Sequence, residues 1–266
     1  MARKTIWTVC IILGLLAMAG AALGRNLASP HQYGKVVIRS VSGSPSMDKV
    51  RFDHWLHRAR FTCRLCHVDI GFAMEANGTG ITAEANRKGL YCGSCHNGVR
   101  IYDEKKIFSS CTTSLLPADA PRCDRCHSVG KKVRTENSFE DFSKKMPKHS
   151  GGEYIDWEEA ETRGMIKPAD TLPGISFQRP RLEPQKDFAI DTAKNSWMPN
   201  IIFSHKKHAL WNGCEVCHPE IFPSVKKGTV KYTMFDIAEG RYCGLCHTKV
   251  AFHISYCEKC HIGKVR

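Results

Sequence analysis

Six Cys-x-x-Cys-His units constrain this chain more than any other feature of it. They are Cys63/Cys66/His67, Cys92/Cys95/His96, Cys123/Cys126/His127, Cys214/Cys217/His218, Cys243/Cys246/His247 and Cys257/Cys260/His261. Together they use 12 of the 14 cysteines. Two thiols on one turn can each form a thioether to a haem vinyl group, and the adjacent histidine then reaches the iron as proximal ligand. Paired cysteines also build zinc ribbons, redox dithiols and disulfide frameworks. Zinc does not need a histidine directly after every second cysteine, a redox dithiol does not need six copies, and the fixed spacing argues against a disulfide scaffold. Covalent haem c is the reading that uses every residue of the motif.

The units fall into a long internal repeat. FDHWLHRARFTCRLCH (52–67) aligns with FSHKKHALWNGCEVCH (203–218) at a constant offset of 151. The offset holds for His54/His205, His57/His208, Cys63/Cys214, His67/His218, Cys92/Cys243 and His96/His247. It holds between the ligands too, at Thr82/Thr233, Gly89/Gly240, Tyr91/Tyr242 and Val99/Val250. A gap-free match over 45 residues makes two copies of one structural unit. The register breaks at the third unit: His96 to Cys123 is 27 positions, His247 to Cys257 only 10, so the first copy carries a 17-residue insertion. Cys111 lies in that insertion, as a buried thiol or a reactive one.

Residues 1–24 read as an export signal, with Arg3 and Lys4 before an apolar run and Ala22-Leu23-Gly24 as a small-x-small cleavage site. Cys10 in the apolar run is a bystander. The segment is also long enough to anchor in a bilayer uncleaved, but its small terminal residues favour cleavage. Residues 25–51 form a lead-in with a short hairpin, from strand-like residues 35–39 and 49–52 around Ser-Gly-Ser-Pro-Ser. Residues 52–133 make the first module, 134–202 a connector and 203–266 the second module. The stretch 128–202 has no haem site and one expected helix, residues 157–163, with Asp156 as N-cap, Glu159 at N3 and Gly164 beyond its end. Pro168, Pro173, Pro180 and Pro184 punctuate the remainder, which reads as an extended connector packed over the haem modules. Gly89 and Gly240 are expected to permit a close turn onto the haem in each module.

The formal charge is +13, and +11 without Arg3 and Lys4. A basic chain ordinarily suggests nucleic acid or a membrane surface. Six haems, however, bring about twelve propionate charges, and each ferric bis-His core about one positive charge, for a balance of about +5 oxidised and about −1 reduced. The basic residues are needed mainly against propionates, so no nucleic acid is expected. Modules this small are marginal on side chains alone. The expected fold is mostly irregular, with short α-helices and a small β-hairpin, in two tandem trihaem modules whose core is covalently bound haem.

Phe-x-His-x-x-His, followed after five residues by Cys-x-x-Cys-His and then two more units, resembles the trihaem c-seven type of periplasmic cytochrome, a relative of the tetrahaem c-three type found in metal- and sulfate-reducing bacteria. The resemblance covers 52–127 and 203–261. It implies that His54 is distal to the Cys63/Cys66 haem and His57 to the Cys92/Cys95 haem. Likewise it implies His205 for the Cys214/Cys217 haem and His208 for the Cys243/Cys246 haem. Small family members carry the third distal histidine four residues before the second unit, where this chain has Lys88 and Glu239. His31, His149 and His253 remain, the last replaced by Tyr102 in the other module. Thirteen histidines less six proximal ones leave seven for six distal positions. His149 and His31 are the first candidates and His253 the next, with Met146, Met165 or Met198 as alternatives that would raise the potential.

The function these readings imply is a low-potential electron carrier or conduit with six haem c groups, since a six-coordinate haem has no site for substrate. The partners implied are other redox proteins: inner-membrane quinol-linked complexes and periplasmic or outer-membrane cytochromes. Membrane attachment follows only if the N-terminal segment stays uncleaved. The location implied is the periplasm, with the cell surface as an alternative. A multihaem reductase with one open haem, at Cys123 or Cys257, and a structural subunit of a larger conduit are the competing readings.

Overall fold

The computed structural model describes residues 32–39, 47–111, 120–133, 137–150, 154–176, 183, 186–192, 197–223, 226 and 228–263. The export segment, Cys10, His31 and the expected turn at 42–46 lie outside them. The elements below belong to the unit Gly34–Arg266. In chain order they are β1 (Lys35–Ile38), β2 (Val50–Asp53), α1 (His54–Arg58), α2 (Ala83–Arg87), β3 (Ile101–Tyr102), β4 (Lys105–Lys106), α3 (Ala120–Cys123), α4 (Phe139–Lys144), α5 (Trp157–Thr162), β5 (Phe188–Ile190), β6 (Ile201–Phe203), α6 (His205–Asn212), α7 (Met234–Ala238), α8 (Gly244–His247) and α9 (Cys257–Cys260). A π-turn at Leu65–Asp69 and a 3-10 turn at Tyr91–Ser94 carry attachment residues. Among the described residues no helix is long and apolar enough to cross a membrane.

The helices run from 4 to 8 residues, too short to hold in water by propensity alone. Their starts are set by side chains. Thr82 accepts from the Ala85 N–H at 3.0 Å, and its repeat partner Thr233 closes a capping box with Asp236. Asp156 accepts from the Glu159 N–H at 3.1 Å, as its sequence indicates, and α5 ends one residue early with Gly164 at φ 69°. The Glu159 carboxylate turns outward to Arg163 at 2.7 Å.

The expected hairpin is present: β1 and β2 pair antiparallel, with Val36 opposite Phe52. The second copy has one as well, β5 with β6, and there Phe188 lies opposite Phe203. Phe52 and Phe203 are repeat equivalents, so the structural repeat begins before the ungapped match. Each hairpin delivers the chain directly into the helix that bears the paired histidines.

Side-chain core is scarce. Only Trp55, Leu65, Ile155, Ala160, Ile166, Val216, Ile221 and Ile237 are buried apolar residues among those described. The connector folds back on the first module. The helix α4, not expected from the sequence, is capped by Ser138 and rests Phe139 and Phe142 on Trp55 at 5.6 and 5.1 Å. Farther on, Ala169 donates its N–H to the Arg60 carbonyl at 2.7 Å and accepts from the Thr62 N–H at 3.1 Å.

Gly89 and Gly240 adopt left-handed φ, 82° and 86°, as a tight turn requires. A separate close approach lies four residues on. A Cβ at Gly93 would lie 1.8 Å from the Asn86 carbonyl oxygen, and one at Gly244 would lie 1.9 Å from that of Ile237. These glycines sit inside the second Cys-x-x-Cys-His unit of each copy and let it lie flat on the preceding helix. Tyr91 and Tyr242, also equivalent, take left-handed φ of 49° and 52° just before the first cysteine, a strain that the surrounding contacts must hold.

Candidate haem sites

A cavity of about 2080 Å³ runs through the unit. Small-molecule pockets are roughly 300–1,000 Å³, and protein interiors otherwise have few voids larger than a water molecule. Its walls carry Cys63, Cys66, Cys92, Cys95, Cys126, Cys217, Cys243, Cys246, Cys257 and Cys260, with His54, His57, His67, His96, His149, His208, His247 and His261. Cys123, Cys214, His127, His205 and His218 stand outside that wall.

The buried thiols are neutral. Burial pushes the Cys66, Cys92 and Cys246 thiols up to about 12, and those of Cys217 and Cys243 to about 11. Zinc needs thiolates, and among the described residues no three Cys, His, Asp or Glu side chains converge on a metal-sized point. The described cysteines are free of disulfides. Neutral cysteines lining an apolar cavity fit thioethers to a macrocycle and disfavour the competing readings.

The histidines are oriented with one common device. Nδ1 lies against a backbone carbonyl in nine of them, so it carries the proton and Nε2 keeps its lone pair. Among the proximal set, His67 donates to Phe72 O at 2.9 Å, His218 to Phe222 O at 2.6 Å, His247 to Phe252 O at 3.0 Å, His127 to Asp48 O at 2.5 Å and His261 to Pro199 O at 2.7 Å. Among the upstream set, His54 donates to Gly34 O at 2.9 Å, His57 to Asp53 O at 3.2 Å, His205 to Lys186 O at 3.3 Å and His208 to Ser204 O at 2.7 Å. His96 packs on the Phe108 ring, 4.4 Å away, and its imidazole also interacts with the Phe108 backbone. Burial lowers His54, His57 and His247 to about 4, so they are neutral at pH 7 and able to bind iron.

The two copies repeat the same pairing. Phe52 packs edge-on to His54 at 4.8 Å and beside His57 at 4.5 Å. Phe203 does the same to His205 at 4.9 Å and His208 at 4.4 Å. The ring centres of His57 and His96 are 6.2 Å apart at 57°, and those of His208 and His247 are 6.2 Å apart at 59°. A metal-bound imidazole nitrogen lies about 2 Å from its metal, with the ring centre about 1.2 Å behind, so two imidazoles facing across one iron have centres about 6.4 Å apart. The middle site of each module therefore has the dimensions of a bis-imidazole iron.

The third sites differ. His149 lines the cavity beside Tyr256, with ring centres 4.7 Å apart. Its Nδ1 faces Asp156 Oδ2 at 2.9 Å, and its buried Nε2 has no hydrogen-bond partner. Lys259, between Cys257 and Cys260, donates to the same Asp156 oxygen at 3.0 Å. His253 is buried off the cavity wall, and its Nδ1 accepts from the Ser255 N–H at 3.2 Å. Met198 lines the cavity, beside Pro199, whose carbonyl holds His261. Met165 is exposed. Lys88 and Glu239 make surface ion pairs with Glu84 and Arg241. Cys111 takes φ 52°, and its sulfur accepts from Asn86 Nδ2 at 3.6 Å.

Cysteine pairs with buried, neutral thiols along an apolar cavity, together with tautomer-fixed histidines, define a protein that binds haem c covalently. The chain belongs to the family described as cytochrome c7 and related cytochrome c, whose model matches residues 50–128 and 201–262. It is a multihaem c-type cytochrome with c7-like modules, and its role is electron transfer. Among solved structures, a c7-type three-haem cytochrome domain is 36% identical over 30% of this chain and 95% of its own, with a TM-score of 0.27. The C-terminal hexahaem fragment of GSU1996 is 23% identical over 86% of this chain and 96% of its own, with a TM-score of 0.26. The N-terminal hexahaem fragment is 23% identical over 87% and 99%, with a TM-score of 0.25. No curated protein matches the chain.

Proposed function

We propose that the chain carries six haem c groups, each held by two axial histidines, and works as a low-potential electron conduit between other redox proteins of the cell envelope. The observation that carries this reading is the 6.2 Å histidine pair found twice, at His57/His96 and His208/His247. His54 and His205 fill the same role for the haems of His67 and His218, each entering from the first residue of its helix. Two imidazoles on every iron leave no position for a substrate, and imidazole in place of a thioether keeps the potential low. The haems supply one-electron chemistry. The chain holds them and fixes imidazole orientation through Nδ1.

His149 is the distal ligand of the Cys257/Cys260 haem in this reading. It faces the cavity, its Nε2 is buried and unpartnered, and Asp156 ties it to the helix that bears the two cysteines. His253, whose Nδ1 already accepts a hydrogen bond, is a structural residue. Of 13 histidines, 12 then occupy axial positions, and His31 falls to the Cys123/Cys126 haem. Residues 1–24 direct export to the periplasm, where inner-membrane quinol-linked complexes and outer-membrane cytochromes are partners of suitable chemistry.

His149→Ala and His253→Ala separate these assignments. His149→Ala is expected to convert one haem of six to high spin in the oxidised electron paramagnetic resonance spectrum and to let that haem bind carbon monoxide. His253→Ala is expected to leave all haems low spin. The reverse pattern would exchange the two roles.

A further inference from the structure

Arg58, the last residue of α1, stands where the two modules meet. Its guanidinium carbon lies 4.7 Å from the ring centre of Trp157 and 4.6 Å from that of Trp211, one indole from the connector and one from the second module. Its Nη1 donates to the Val250 carbonyl, three residues beyond His247. Glu161 accepts from the Trp211 side chain and lies within electrostatic reach of Arg58. The guanidinium also acts on groups of both modules: Cys63 and His54 on one side, Cys246 and His247 on the other. Cys63 in turn acts directly on Cys246 and Cys217. Elsewhere such contacts stay inside a module, Cys66 with Cys95, Cys92 with Cys126, and Cys243 with Cys260. The repeat equivalent of Arg58 is Ala209, so this cation belongs to the junction and not to the module design.

We propose that Arg58 is the fixed cation of the inter-module electron-transfer step, set between the Cys63/Cys66 haem and the Cys243/Cys246 haem and raising the reduction potential of both. The inference rests on the multihaem reading above. In the step, one electron leaves the ferrous iron of one haem and reduces the ferric iron of the other, and Arg58 gains and loses nothing. A positive charge near an iron favours the state with one positive charge fewer. Two indole faces keep that charge in place and strip part of its hydration, which strengthens its field at the haems. Arg58 is not among the charges that act on Cys126 or Cys260, so the smallest effect is expected at the third haems.

The test is a haem-resolved redox titration of the holoprotein, following haem methyl resonances by nuclear magnetic resonance. In Arg58→Gln, the reduction equilibria of the two junction haems are expected to fall about tenfold, a shift of about 59 mV for one electron. The Cys123/Cys126 and Cys257/Cys260 haems are expected to hold, and Arg58→Lys to recover part of the shift by charge alone. No shift at the junction haems, or an equal shift at all haems, would overturn the proposal. The wild type gives an independent readout if Arg58→Gln does not mature: the largest redox interaction between modules is expected for the junction pair, and finding it on another pair would overturn the assignment. The haem count and spin states from the same sample report separately on the multihaem reading.

Discussion

Chain produced without haem attachment is expected to remain unfolded, with no cooperative urea transition and the circular dichroism of a largely disordered polypeptide. Eight buried apolar side chains among the described residues are few for a unit spanning Gly34–Arg266. Folding costs about 1–2 kcal/mol of backbone entropy per residue, and the helices are single turns or little more. The about 2080 Å³ interior is walled by cysteines and histidines rather than filled by leucines. Thioether attachment therefore supplies the apolar core and ties it to the chain. The expected result is the coupling seen in small metal domains, where binding free energy is folding free energy. Replacing Cys63 and Cys66 by alanine is a graded version: it removes one haem and is expected to lower the stability of the whole unit, because Leu65 and the junction contacts of Cys63 lie at that site.

The second large effect is expected at two glycines. Alanine at Gly93 or Gly244 would place a methyl group 1.8 or 1.9 Å from a backbone carbonyl oxygen, a distance that no rotamer change relieves. Either the attachment turn lifts from the preceding helix or the helix moves, and both displace the middle haem. The cost is expected to be about 3 kcal/mol or more, the upper end for overpacking, against total stabilities of about 5–15 kcal/mol. Gly89→Ala is the control. It keeps an unfavourable left-handed φ but meets no atom within 4 Å, so a loss of about 1–2 kcal/mol is expected. Denaturant midpoints of the three holoproteins, monitored at the haem absorption, check this order.

Motifs and repeats made the haem sites legible because attachment chemistry is local: two cysteines and a histidine within five residues need no tertiary information. The matching approaches of His57 to His96 and of His208 to His247 follow from the repeat, which holds both pairs at one register. The cap at Asp156 was local as well, whereas Thr82 and Thr233 stood out only as repeat partners. What depends on distant chain was not readable. His149 and His31 ranked ahead of His253 in one dimension; cavity exposure and hydrogen-bond polarity now set His149 apart from His253. The helix α4 left a weak signal, Ser138 before Phe139 and Phe142, and its partner Trp55 lies more than 80 positions away. The tight packing of Gly93 and Gly244 on the preceding helix was not foreseen, although the shared Cys-Gly-x-Cys-His of the two middle units was an available clue. Arg58 gave no signal, because its meaning comes from Trp157 and Trp211, brought together only by the folded connector.

Electron paramagnetic resonance of the fully oxidised holoprotein, with haem quantified by pyridine haemochrome on the same sample, tests the central claim most directly. Six haems per chain are predicted, one for each motif, all low spin when oxidised and none binding carbon monoxide after reduction without denaturation. A count below six in fully matured protein, or one haem in six high spin and open to ligand, would contradict a conduit built wholly from bis-histidine haems.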